Sequence, residues 1–281
     1  MQLETRIYQK ESNLKLGKLL KESAKDLFGS HFLAKQLATR DIKSQYRQSY
    51  LGIIWAFIMP VTSALVWIFL NLTGTVRLSD TGVPYPVYAF SGTLIWSIIT
   101  EAINSPTIST KAAKGIMSKI NFPKEALILS GIYKLLFNSS IKVMLLVVFI
   151  FVFGVGFHWS LLLFPFAILA AILFGTTLGL FITPIGLIYN DIAKIISMGL
   201  SFLMYITPVV YAIPKTGLMK TIMEINPFTA LILTSRDLAL GTTPEYLGYF
   251  FWIFAVSFAL FFVGLLFYRI SIPIIVERLS A

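Results

Sequence analysis

Residues 161–188 read LLLFPFAILAAILFGTTLGLFITPIGLI, 28 positions without a charged side chain. Roughly 20 apolar residues already suffice for a helix to cross a bilayer, so this stretch reads as a membrane span. Uncharged runs of comparable length recur at 53–72, 195–213 and 246–268. Two further segments are weaker: 86–105 carries Glu101, and 135–157 reaches span length only by taking in Lys142. The expectation is an all-α integral membrane protein with six transmembrane helices within 53–268, a cytosolic amphipathic segment at 1–52 and a cytosolic tail at 269–281.

Composition agrees with that class. Of 281 residues, 57% are hydrophobic and 13% charged, and there is no cysteine; the mean hydropathy is +0.80. These values exclude a soluble enzyme core, a DNA-binding module, a disulfide scaffold and any thiolate metal site. The net charge of +10 does not point to nucleic acid, because most of it flanks apolar runs. Ten basic residues precede position 53, where no apolar run is long enough for a cleavable signal sequence, so the N-terminus is expected in the cytosol. Nineteen basic residues fall on or near the proposed cytosolic side, against Arg77, Lys215, Lys220 and Arg236 on the other. The positive-inside rule then puts both termini in the cytosol.

The connection 214–244 is too rich in Leu, Ile and Met for a solvated loop. Asn226 reads as an N-cap, Pro227 as the first helical residue and Gly241 as the stop, which predicts a short helix over 227–240. With a preceding helical piece at 215–225 it would form a re-entrant hairpin, 214–241, in the outer leaflet, or two helices lying on the membrane surface. On the cytosolic side, Leu16, Leu19, Leu20, Ala24, Leu27 and Phe28 follow amphipathic spacing. A second helix, about 31–48, aligns Gln36, Arg40, Lys43 and Arg47, with Phe32, Ala38, Ile42 and Tyr46 on its apolar side. Its basic stripe serves either as an anchor to anionic lipid or as a contact for a partner or an anionic headgroup. Residues 109–120 predict a short basic helix ending at Asn121-Phe122-Pro123, a partly apolar element of the kind an external motor could push.

Catalytic chemistry is not legible. The chain lacks a phosphate-binding G-x-x-x-x-G-K-[ST] loop. His31 and His158 lie on opposite sides of the expected topology, and Asp191, Glu224, Asp237 and Glu245 are scattered. Within the membrane, Glu101 lies fifteen residues after Pro86 and Lys142 fifteen before Phe157. At 1.5 Å per residue both are roughly 22 Å from the outer surface, so they could pair and fix the second span against the third, or snorkel separately. Trp55, Thr62 and Phe69 share one helical face; Tyr85, Tyr88, Gly92 and Trp96 share another. Rings interleaved with hydroxyls suit a passage for sugars, whose C–H faces pack on aromatics, and equally suit lipid-facing belts.

Several motifs carry a family resemblance: Arg40-Asp41-Ile42-Lys43 with Tyr46-Arg47-Gln48-Ser49, Leu51-Gly52, Trp55 and Pro60; Tyr85-Pro86 with Gly92 and Trp96; Asn121-Phe122-Pro123-Lys124-Glu125; Thr207-Pro208-Val209 with Tyr211; and Asn226-Pro227-Phe228-Thr229. In these and in the order of its segments the chain resembles the Wzm-like membrane permeases of type-2 ABC exporters for O-antigen and related polysaccharides. Tyr189-Asn190-Asp191 departs from the family, whose members often carry Arg before the Asp. The resemblance implies a homodimer in the bacterial inner membrane, bound to two copies of a separate P-loop ATPase that holds the ATP and Mg, with no cofactor on this chain. It implies a lipid-linked polysaccharide as cargo. Teichoic acid or capsule export, small-molecule efflux and a membrane glycan-transferring enzyme are the alternatives.

Mapped onto these positions, residues 109–123 would be the coupling element, acting through Ile116, Lys119, Phe122 and Pro123. Arg40, Lys43 and Arg47 would attract the diphosphate headgroup. Trp55, Thr62, Phe69, Tyr85, Tyr88 and Trp96 would line the sugar path, and Asn226, Pro227 and Phe228 would belong to the outer gate.

Overall fold

The computed structural model describes residues 16–47, 50–74, 82–117 and 119–280. Residues 1–15, Gln48, Ser49 and Arg77 lie outside them. Among the described residues the regular structure is all helical, without strands. The helices in order are α1 (Leu16–Gly29), α2 (His31–Arg47), α3 (Trp55–Leu72), α4 (Tyr85–Ala112), α5 (Lys114–Met117), α6 (Glu125–Val152), α7 (Phe164–Ile188), α8 (Asn190–Tyr205), α9 (Leu218–Ile225), α10 (Pro227–Leu240) and α11 (Leu247–Ser280).

Among the described residues five helices are long and apolar enough to cross a membrane: α3 with its preceding turn, α4, α6, α7 and α11. The segment expected as a fifth span, 195–213, differs. Its helix, α8, has 16 residues and stops at Tyr205, two residues short of Thr207-Pro208, where proline supplies no N–H and disfavours helix in the residue before it. The short basic helix expected over 109–120 also differs. Residues 109–112 are the last turn of α4, the chain breaks at Ala113, and only Lys114–Met117 forms a separate turn of helix. α6 begins at Glu125, ten residues before the expected start of that span, and α11 runs through the expected tail to Ser280.

α4 is the centre of the bundle and the least apolar of the five long helices. In its span-length window 78% of residues are buried, against 6% for Gly52–Leu72. For α4 this fits lipid as solvent, since its Ser, Thr and Gly side chains are best satisfied against protein, whereas α7, as apolar as Gly52–Leu72, is 67% buried through close packing on α4. α4 packs most closely on α7, where Gly175-Thr-Thr-Leu-Gly179 supplies small residues four apart. A Cβ at Gly175 would lie 2.6 Å from Ala102 Cβ and 2.8 Å from Ile99 O, and one at Gly179 would strike Ile103 O. Thr107 and Thr183 hydroxyls add a 2.9 Å bond across the same seam. α6 and α11 flank this pair, and α2 lies along α6 through the small side chains Ala34 and Ala38.

Candidate functional site

Three assemblies sit along the length of α4. At its N-terminal end the chain forms a cluster around Arg236. Local chemistry builds the helix that carries it: Asn226 Oδ1 accepts from Phe228 N at 3.0 Å, Pro227 occupies the first turn, and Gly241 closes α10 with φ 78°. Asn226 also donates to Thr207 Oγ1 at 2.8 Å, tying α10 to the turn after α8. The Arg236 side chain is fully buried. Its guanidinium donates to Pro208 O at 3.2 Å and to Val209 O, and its Cζ stands 3.8 Å over the Tyr88 ring. Turn carbonyls that no helix satisfies are thus taken up by a planar fork, and the cation is covered by an aromatic face.

The same turn accepts from two further residues of α4: Tyr85 OH donates to Val210 O and Tyr88 OH to Tyr211 O, each at 3.2 Å. Gly92 lies where a Cβ would collide with Val209 O and Arg236 Nη2. Trp96 packs on Phe228 at 5.5 Å between ring centres. The structure therefore draws Tyr85, Tyr88, Gly92, Trp96, Asn226, Pro227, Phe228 and the 207–211 turn into one body. Beside it, a cavity of about 390 Å³ is lined by Tyr88, Arg236, Asp237 and Glu245. Burial pushes the Asp237 carboxyl up, opposed by its bond from Thr242 and by Arg236.

Midway along α4, Lys142 of α6 donates to Ser97 Oγ at 3.0 Å and forms an ion pair with Glu101. Both residues line a cavity of about 420 Å³ between α3, α4 and α6, with Gln45 of α2 at its edge and Trp55, Ser63, Thr93 and Asn138 in its wall. The two expected aromatic faces do not converge on a common passage within this chain: Trp55, Thr62 and Phe69 on α3 are exposed, whereas Tyr88 and Trp96 on α4 are buried against α10 and its turn.

At the C-terminal end of α4, about 33 Å from Tyr88 at 1.5 Å per residue, a charged node joins three helices. Arg269 of α11 donates to Glu125 Oε1 at 2.6 Å and to Asp26 Oδ2 at 2.8 Å. Ser23 of α1 donates to the same Glu125 oxygen at 2.8 Å, and Tyr268 and Thr110 hydroxyls share a 2.7 Å bond beside it. Glu125 is the first residue of α6, where a carboxylate also meets the positive end of the helix dipole.

The residues just before Glu125 lead to α5. Phe122 is half-buried under Lys124, whose ammonium stands 4.3 Å from the ring centre. Burial pushes that ammonium below the usual lysine range, with Glu125 pulling the other way. Ile116 is partly buried, while Lys119 and Pro123 are exposed. On α2, Lys43 and Arg47 are exposed and Arg40 pairs with Asp41 at 2.8 Å. Asp41 also faces Lys134 of α6 at 3.6 Å. Phe32, on the expected apolar side of α2, is exposed in the chain, and the side chain of Tyr46 lies outside the described residues.

Arg236, Arg269, Asp26 and Ser23 were not singled out as site residues by sequence. An arginine directly after the uncharged stretch 225–235, next to Asp237, is the one visible signal for Arg236. The node residues are separated by up to 243 positions and give no local sign.

Five long apolar helices, the least apolar of them buried among the others with charged and aromatic clusters at its two ends, define a helical multi-pass membrane protein. Residues 33–240 match the family described as ABC-2 type transporter, and the chain belongs to that family. It is similar to an O-antigen export system permease protein RfbA of Klebsiella pneumoniae, 25% identical over 218 residues that cover 75% of this chain and 81% of the relative. It is similar to the protein of the same name from Myxococcus xanthus, 25% identical over 211 residues, 74% of this chain and 80% of the relative.

Proposed function

We propose that the chain is the transmembrane permease of a type-2 ABC exporter that moves a lipid-linked polysaccharide of the O-antigen kind across the bacterial inner membrane. The observation that carries this reading is the family match over 33–240, joined to relatives that are O-antigen export permeases aligned over about three quarters of the chain. Two copies of the permease associate with two copies of a separate P-loop ATPase, which binds ATP and Mg. The homodimer is favoured by α3 and α8, whose apolar faces have little of this chain against them.

In this reading six segments cross the membrane, α8 with its following turn being the fifth, and both termini are cytosolic. α9 and α10 form a re-entrant hairpin on the outer side, with Asn226, Pro227 and Phe228 in the gate. The ATPase pushes on the segment holding Ile116, Lys119, Phe122 and Pro123. Glu125 passes that movement to α6 directly and, through Arg269 and Asp26, to α11 and α1. Arg40, Lys43 and Arg47 form a cationic face suited to a diphosphate headgroup. Thr62 and Phe69 face outward from one protomer, so the sugar path to which they and Trp55 contribute is completed by the second copy, with Trp55 at the mouth of the cavity between α3, α4 and α6. Tyr85, Tyr88 and Trp96 shape that path by holding the outer turn in place.

The test is co-expression with a candidate ATPase, purification in nanodiscs, and measurement of stoichiometry and ATP hydrolysis with and without lipid-linked glycan. A two-plus-two complex stimulated by glycan is expected. A stable chain that binds no ATPase would overturn the reading.

A further inference from the structure

The cavity between α3, α4 and α6 has an unusual balance of polar groups. Its lining cation among the described residues, Lys142, is already engaged by Glu101 and Ser97. Two hydrogen-bond acceptors in the same lining, Glu101 Oε2 and Asn138 Oδ1, are buried and have no donor among the described residues. A site with its positive charge neutralised and its acceptors unmet does not suit phosphate, which brings negative charge and more acceptors. It suits a neutral ligand rich in hydroxyl donors. Ser63, Thr93 and Ser97 add hydroxyls to the wall, and the Trp55 indole stands half-exposed there as a face for C–H groups. The volume, about 420 Å³, lies within the range that takes small ligands, ~300–1,000 Å³.

We propose that this cavity binds one sugar ring, its C–H face resting on Trp55 and its hydroxyls donating to Glu101 and Asn138, whose unmet acceptors turn toward the cavity when it is filled. The assignment rests on the exporter reading for the source of the sugar, which is the transported glycan rather than a hydroxylated lipid headgroup. It separates two tasks: the basic face of α2 meets the diphosphate, and this cavity meets the sugar.

The chain has no cysteine, so Ser63→Cys introduces a unique thiol into the cavity wall, and Ser140→Cys places a control on the exposed face of α6. The permease–ATPase complex in phosphatidylcholine nanodiscs is labelled with a small methanethiosulfonate reagent. It is challenged with a polyprenyl diphosphate carrying one N-acetylhexosamine, or with the same polyprenyl diphosphate lacking sugar. The sugar-bearing compound at ten times its Kd should slow labelling of Ser63→Cys roughly tenfold, leave Ser140→Cys unchanged, and lose its effect when Asn138→Leu is added. Ala56→Cys, also on the cavity wall and at a residue that makes no proposed contact, provides a second reporter.

Equal protection by both compounds would make the diphosphate the ligand and overturn the proposal. Protection that appears without either compound on adding phosphatidylglycerol would assign the cavity to a lipid headgroup and overturn it too. If neither cysteine reacts, the cavity is closed and the proposal falls. Unprotected cysteines in a complex whose ATPase is still stimulated by the sugar-bearing compound would remove this site while leaving the exporter reading intact; absence of complex or stimulation would remove that reading instead.

Discussion

Glu125, the first residue of α6, and Arg269 of α11 are 144 positions apart and share a 2.6 Å hydrogen bond. The Glu125 side chain is 3% exposed and that of Arg269 22%. The bond therefore links a buried carboxylate to a partly wetted cation that also reaches Asp26 of α1. Three helices from distant parts of the chain meet at one carboxylate, placed three residues after Phe122.

Arg269→Met leaves Glu125 buried with Ser23 as its remaining side-chain donor. Breaking a buried pair from one side destabilises by about 3 kcal/mol at the lower end of the usual range. The thermal midpoint of the purified chain should fall accordingly. Adding Glu125→Gln should recover part of the loss, since the carboxamide carries no charge to strand. A double variant that is as unstable as the sum of the singles would show that the two residues act independently.

The cluster around Arg236 predicts a second effect. A Cβ at Gly92 would occupy the space of Val209 O and the Arg236 guanidinium. Because the clash is with backbone on one side and a stacked, hydrogen-bonded arginine on the other, neither can move freely. Gly92→Ala should cost about 1–3 kcal/mol, as overpacking does, and should expose the 207–211 turn to proteolysis. A variant with native protease resistance and native thermal midpoint would show that the turn can shift without loss.

Where local chemistry decides, the fold was legible in the residues. Asn226, Pro227 and Gly241 set both ends of α10, and the helix runs Pro227–Leu240. Helical rise alone sets Glu101 as far from Pro86 as Lys142 is from Phe157, and the two are in contact. Long-range partners were not legible. Arg236 counts by sequence as an outer-loop charge, yet it is buried, because its acceptors are carbonyls 27 and 28 positions upstream. The end of α4 was misplaced for a related reason. No residue among 105–112 forbids helix other than Pro106, and the bundle holds that turn in place through the bond between Thr110 and Tyr268.

The Glu101–Lys142 contact makes a third prediction. Lys142 is largely buried, whereas Glu101 keeps 40% of its side-chain surface. Glu101→Gln leaves the ammonium without its counter-charge, while Lys142→Met leaves a carboxylate that the cavity can hydrate. The first should therefore be the more damaging in thermal stability, and the double variant milder than Glu101→Gln alone. Additive losses would mean that each side chain is held by separate surroundings.

Phe122→Ala supplies the last prediction. Phe122 packs partly into the cluster formed by Met117, Leu127, Leu265 and Tyr268, and its ring carries Lys124. It thus stands between the short helix α5 and the Glu125 node, where a push on α5 would have to pass. Truncation removes the packed ring and leaves Glu125, Arg269 and the membrane helices as they are. The variant should insert and bind the ATPase normally, with transport per ATP hydrolysed reduced by about tenfold, a coupling loss of about 1.4 kcal/mol. Paired measurement of glycan export and ATP hydrolysis in proteoliposomes checks this. An unchanged ratio of the two rates would take Phe122 out of the path of transmission.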